Sequence, residues 1–291
     1  MKRSRRLQVC IYASVYSLLV GCATGHPTTP ATSTTRTQRD TTIIESHKKS
    51  WAPHLIAAKL RYFIHDSSTI SINGDTTVAV VPIESTMIFS VSTSDSNNLL
   101  SVNSQIDSFY VNSSRSTKTK PDTSIRSNMH MVASKEGRFL DLTEAGPLDC
   151  TVANASSPSR IGEVLIALPL NAITVGDKWS DTVSTTSCRG RIALTHRIVR
   201  QYELLDFSSC PQTNAAKVRG VITDTLAGSP TESNNHLSAH GFGNAISMIC
   251  IDANTGTLLE SDTQSHLELT VTTTRGAFPF IQNSNTHIEL R

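Results

Sequence analysis

Apolar positions along this chain alternate with polar ones far more often than they recur at helical spacing. In residues 99–111, Leu100, Val102, Ser104, Ile106, Ser108 and Tyr110 share one parity, the period of a strand buried on one face. Residues 60–64 lead through polar positions to Ile70-Ser71-Ile72, and the following Asn73-Gly74 predicts a hairpin turn. Residues 77–82 and 86–91 are two further β-branched runs, and Pro82 between them predicts an edge, a bulge or a break. Residues 55–60 fit either a helical turn or the beginning of a strand. Residues 113–124 are charged and rich in Ser and Thr, and are expected to form an exposed loop.

Two stretches share one grammar. Residues 129–142 and 247–260 each read as two strands joined by a Gly-containing turn, at Gly137 and at Gly256. The likeness raises the expectation of two β-rich halves with similar topology. Between them, residues 160–168 predict a short helix packed across a sheet. Residues 191–207, 215–226, 238–252 and 257–271 then read as a meander. The fold class expected is mainly β: antiparallel sheets, two similar halves forming a curved sheet or half-barrel, and at most one or two short helices. Abundant Thr, Ser, Val and Ile support strands over helices.

The N-terminus changes the picture. Lys2, Arg3, Arg5 and Arg6 precede a mostly apolar, uncharged run over residues 7–20. That is the pattern of an export signal, and the run is short of the ~20 residues that span a bilayer. Leu19-Val20-Gly21-Cys22 resembles the lipobox of bacterial lipoproteins. The resemblance implies cleavage before Cys22, a diacylglycerol thioether on its sulfur and acylation of the new amine. It places the protein in the bacterial cell envelope, lipid-anchored. Ala23, where an inner-membrane retention signal has Asp, is compatible with the outer membrane. The expected organisation is a signal peptide over 1–21, a Thr/Pro-rich tether over 22–48, an N-terminal β-rich half over 49–160 and a C-terminal half over 161–291. Removing the four signal charges from 26 basic residues leaves 22 against 24 acidic ones, a net charge of −2. Such a balance offers no electrostatic footprint for nucleic acid.

Cys10 leaves with the signal, so Cys150, Cys188, Cys210 and Cys250 remain for an oxidising compartment, with three possible pairings. If the meander strands pair in order, Cys210 and Cys250 meet at one end of the sheet and Cys188 lies at the other. That geometry permits Cys210–Cys250 and leaves Cys150–Cys188.

Candidate chemistry is sparse. Asp252-Ala253-Asn254-Thr255-Gly256 begins like a calcium loop, but its Gly is fifth and Thr263 stands where a bidentate Glu belongs, so it reads as a hairpin turn. His236 and His240 have the spacing of two ligands on a helix, yet their surroundings read as loop and strand, where they stand ~13 Å apart. His196 and His266 read as ordinary strand positions. Met129, Met131 and Met248 read as core or groove lining. No nucleophile elbow, phosphate loop, dinucleotide turn or Cys-x-x-Cys is present. Catalytic residues, metal ligands and cofactors are therefore expected to be none. A cryptic hydrolase would need His236, His240, Asp224 and Glu232 gathered in one cleft.

Val175-Gly176-Asp177-Lys178-Trp179, behind Leu168-Pro169, resembles a segment of uncharacterised bacterial envelope lipoproteins. Gly176 and Asp177 are expected to form a turn, and Trp179 to be a structural anchor whose indole N–H needs an acceptor. The leading functional expectation is a non-enzymatic, membrane-anchored lipoprotein that binds a hydrophobic or amphipathic ligand, its shape similar in outline to LolA-like half-barrels. The alternative is a structural or assembly protein that contacts protein partners.

Overall fold

A computed structural model describes residues 50–73, 78–97, 99–113, 128–141, 158–189, 192–230, 238–274 and 276–291. Cys22 with its signal, the tether, Cys150, His236, Glu232 and nearly all of the expected 113–124 loop lie outside the described residues. The strands are β1 (Lys59–Asn73), β2 (Val78–Ser96), β3 (Leu99–Ser113), β4 (Asn128–Ser134) and β5 (Phe139–Asp141). After the helix α1 (Pro158–Val164) come β6 (Lys178–Arg189), β7 (Ile192–Asp206), β8 (Ala215–Pro230), β9 (Ser238–Asp252), β10 (Leu258–Thr273) and β11 (Gly276–Leu290).

All strands belong to one antiparallel 11-stranded sheet in the order β5-β4-β3-β2-β1-β11-β10-β9-β8-β7-β6. It is a nearly closed, barrel-like sheet. Two meanders, β1–β5 and β6–β11, become one sheet because β1 pairs with β11 from Tyr62↔Leu290 to Ile72↔Phe280. The expected β-rich, curved architecture with one short helix is what the chain adopts.

Three local differences have physical reasons. Residues 78–96 form one strand that passes through Pro82. Pro82 pairs with Thr69 on β1, while β3 makes its last pairing with Ile83, so the missing N–H falls where β2 is an edge. The helix ends at Val164 rather than continuing to 168. Pro169 disfavours helical backbone at Leu168, whose N–H instead donates to the Glu136 carbonyl at 2.7 Å. Strands β6 and β11 had no sequence signal, because their alternation is carried by Ser, Thr and Gln rather than by aliphatic side chains.

The main core fills one end of the barrel. Tyr62, Ile64, Met87, Phe89, Tyr202, Leu204, Ile249, Ile251 and Ile288 point in from the strands. Between them sits a plug made of Trp51, Leu55, Ile161 and the run from Val164 to Leu168, every one of them buried. Burying each such large apolar side chain contributes roughly 1.5–3 kcal/mol. Trp51 donates its indole N–H to the Ala253 carbonyl at 3.0 Å and meets Trp179 edge-on at 5.9 Å.

The two similar hairpins both grip this plug. In the β4–β5 turn, Gly137 has φ +72° and a Cβ there would stand 2.5 Å from the Ile166 carbonyl oxygen. In the β9–β10 turn, Gly256 has φ +66° and a Cβ would stand 2.4 Å from Leu168 Cδ1. Left-handed backbone and zero clearance both demand glycine. Gly256→Ala should lower stability by about 1–3 kcal/mol, read as a drop of several degrees in thermal unfolding followed by circular dichroism. Gly176→Ala, at φ +92° with nothing within 4 Å, should cost only the backbone strain and so less.

Candidate functional site

Strand alternation sorts the barrel interior into levels. Above the plugged end, the inward positions turn polar across five adjacent strands. Asp66 on β1 accepts from the Thr286 hydroxyl of β11 at 2.6 Å and from the Ser85 hydroxyl of β2 at 3.3 Å. The Ser265 hydroxyl on β10 donates to the Ser284 carbonyl at 3.2 Å, and the Gln282 amide donates to the Ser284 hydroxyl at 3.2 Å. On β9, Ser247 bonds Thr263 of β10 at 2.7 Å. Ser68, Ser85, Ser265, Gln282, Ser284 and Thr286 are all buried. Buried polar groups persist only when satisfied, and this band satisfies itself by bonds within β11 and between neighbouring strands.

Beyond the band, toward the β10–β11 turn, the inward face becomes apolar again. One cluster joins Ile70 and Ile83 with Ile72, Val81 and Val111 on β1–β3. A second joins Leu194, Leu226, Ala239 and Leu267 with Leu269 and Val271 on β7–β10. The two do not merge. Phe280 of β11, half-buried, is paired with Ile72 on one side and Leu269 on the other. Within this wall His196 Nδ1 lies 2.8 Å from Asp224 Oδ2, both side chains 2% exposed, while Asp224 Oδ1 has no hydrogen-bond partner. His196 is thus a buried, carboxylate-paired group rather than the ordinary strand position its sequence suggested. Alternation alone could place it inward, but only the fold could bring Asp224 beside it.

The seam between edge strands β5 and β6 is closed by charge. Arg138, just before β5, donates Nη1 to the Ser180 carbonyl at 3.2 Å and lies 3.3 Å from Asp181 Oδ1. Arg200 of β7 binds the other Asp181 oxygen and donates to the Gly162 carbonyl of α1 at 3.0 Å, with the Phe139 ring 5.7 Å away. Arg200 and Asp181 are buried, so each charge depends on the other. At the plugged end, burial pushes the Tyr62 phenol well above its usual range, which keeps it neutral.

The residues singled out by sequence fall as follows. Cys210 and Cys250 form a disulfide with Cα atoms 5.8 Å apart, tying the β7–β8 connection to β9. Cys188 stands near the opposite end of β6, in register with Ala193. Trp179 donates its indole N–H to the Ala167 carbonyl at 2.7 Å and stacks on Tyr202 at 5.4 Å. Asp177 accepts from the Thr174 N–H at 2.8 Å and hydroxyl at 3.0 Å, closing the turn in which Gly176 has φ +92°. Asp252 Oδ1 accepts from the Asn254 N–H at 3.0 Å, the Thr255 N–H at 2.8 Å and the Thr255 hydroxyl at 2.9 Å, so the carboxylate is engaged in its own turn. Met131 is core. Met248 is not: it points outward on β9 and is 38% exposed, because Ile249 and Ile251 hold the inward parity. His240 points outward on β9, on the face opposite to Asp224. Hydrogen bonds to Asn283 and Glu268 raise the His266 pKa on the outer face. No helix of the described residues is long and apolar enough to cross a membrane.

Asp181→Ala should destabilise the protein by about 3–5 kcal/mol, because it strands the buried Arg200 charge. In urea unfolding, pairing it with Arg200→Met should recover a large part of that loss, since the fully buried charge is then gone and only the half-buried Arg138 has lost its partner. Compared with models of known protein families and with curated protein sequences, the chain matches none of them.

Proposed function

We propose that this protein is a non-enzymatic lipoprotein of the bacterial envelope, anchored through Cys22, that holds the acyl chain of an amphipathic molecule in the far end of its barrel. The observation that carries the reading is the pair of apolar clusters that face the interior as separate groups among the described residues, on the strands either side of Phe280. An apolar chain lying between them would join the clusters and remove partly exposed Ile72, Leu269 and Val271 from water, at roughly 25 cal/mol per Å². The buried hydroxyl band below gives such a chain a floor. From the level of Gln282 to that of Phe278 the strand rises about 13 Å, a depth suited to a partly inserted chain whose head group stays at the mouth.

The plugged end is unsuited to a ligand, since Trp51, Leu55 and Val164 to Leu168 already occupy it.

The test is denaturing mass spectrometry of lipids extracted from a Cys22→Ser protein exported by a cleavable signal. Acyl lipid in stoichiometric amount is expected, and Leu269→Glu should cut that occupancy about tenfold by placing a charge against the chain. A folded, disulfide-bonded protein that carries no lipid would overturn the reading and favour a partner-binding role.

A further inference from the structure

We infer that the outer face of the sheet carries a binding site for a divalent transition ion of the zinc or copper class, formed by Glu260, Asp262 and His287. Glu260 and Asp262 are two residues apart on β10 and share its outward face, and His287 of β11 stands directly opposite Asp262. One donor atom from each of the three lies within 4.8 Å of the other two, and His287 Nδ1 is 2.9 Å from Asp262 Oδ1. Small torsional changes would let all three reach one ion at bond lengths of about 2.0–2.2 Å.

Two further observations point to a cation. The Glu260 carboxylate has no hydrogen-bond or ion-pair partner among the described residues, and no Lys or Arg among them pairs with Asp262. Two like charges are therefore held together on a fixed sheet with only one imidazole between them. Arg291, one rung away, is taken up by Glu289 at 3.5 Å and by the Phe63 ring at 4.3 Å. On the other side of β11, His65 of β1 lies directly opposite His287, half-buried and without a side-chain hydrogen bond among the described residues, one strand beyond the three donors.

Imidazole with carboxylate selects zinc or copper over magnesium and calcium, which prefer all-oxygen shells. The three donors lie on β10 and β11, so an ion there would fasten the last two strands beside the β1–β11 pairing. This inference is independent of the ligand proposed for the barrel interior.

The experiment is calorimetric titration of the full-length chain, purified in detergent with a histidine-free tag, with zinc chloride, copper chloride and magnesium chloride. One equivalent of zinc or copper is expected to bind, with no heat from magnesium. His287→Ala and Asp262→Asn should each weaken binding by about tenfold or more, and His65→Ala by less. His266→Ala, a histidine on the same outer face with its own partners, should leave binding unchanged. Zinc should also raise the unfolding temperature of the wild type but not of His287→Ala. Should His287→Ala fail to fold, Glu260→Gln with Asp262→Asn decides in its place. Absence of zinc and copper binding at about 100 μM would overturn the inference, as would binding that survives His287→Ala or falls equally with His266→Ala.

Discussion

The pairing of β1 with β11 is the constraint on which everything else rests. Each meander alone would be an open sheet with one apolar face and two edges, a state that antiparallel sheets tolerate poorly. Joined, they curve around a common interior, and the two free edges come to lie on either side of one seam. The plug and the Asp181-centred ion network are answers to that seam. The apolar core needs an inner filling at one end because 11 strands enclose more space than strand side chains alone can fill. The edges need charge because β5 is only three residues long and cannot supply a ladder along all of β6.

That arrangement revises what an enclosed apolar interior means here. The most hydrophobic space in the molecule is occupied by the chain's own residues 161–168 and by Trp51 and Leu55. At the other end the described lining is split into two apolar clusters. The polar band separates these regions, and its hydroxyls bond within the sheet rather than facing an occupant.

Much of this was readable along the chain, and the rest was hidden for stateable reasons. Runs such as Leu100 to Ile106, with an aliphatic residue at nearly every second position, announce their strands outright. Strand β11 does not, because Gln282, Ser284 and Thr286 occupy its inner face and alternation of polar with polar leaves no trace. The two glycine turns were visible as hairpins. Their role in clasping residues 166–168 was not, since nothing local to Gly137 or Gly256 shows what lies against them. Cys210 and Cys250 could be matched because strand order places them at one end. His196 with Asp224, and His287 with Asp262 and His65, depend on register between strands, and register is a property of the assembled sheet.

The position of β11 has a consequence for how the protein comes into being. The strand that joins the two meanders is the last of the described strands, and its pairing with β1 cannot begin until residues 276–290 are available. A chain emerging N-terminus first would present β1 with one side unpaired throughout that interval, an exposed edge of 15 residues. Closure over so long a sequence separation is slow compared with hairpin formation. Biogenesis thus has a built-in order: local hairpins first, the joining ladder last, and a vulnerable period between them whose length is set by the pace of synthesis rather than by stability.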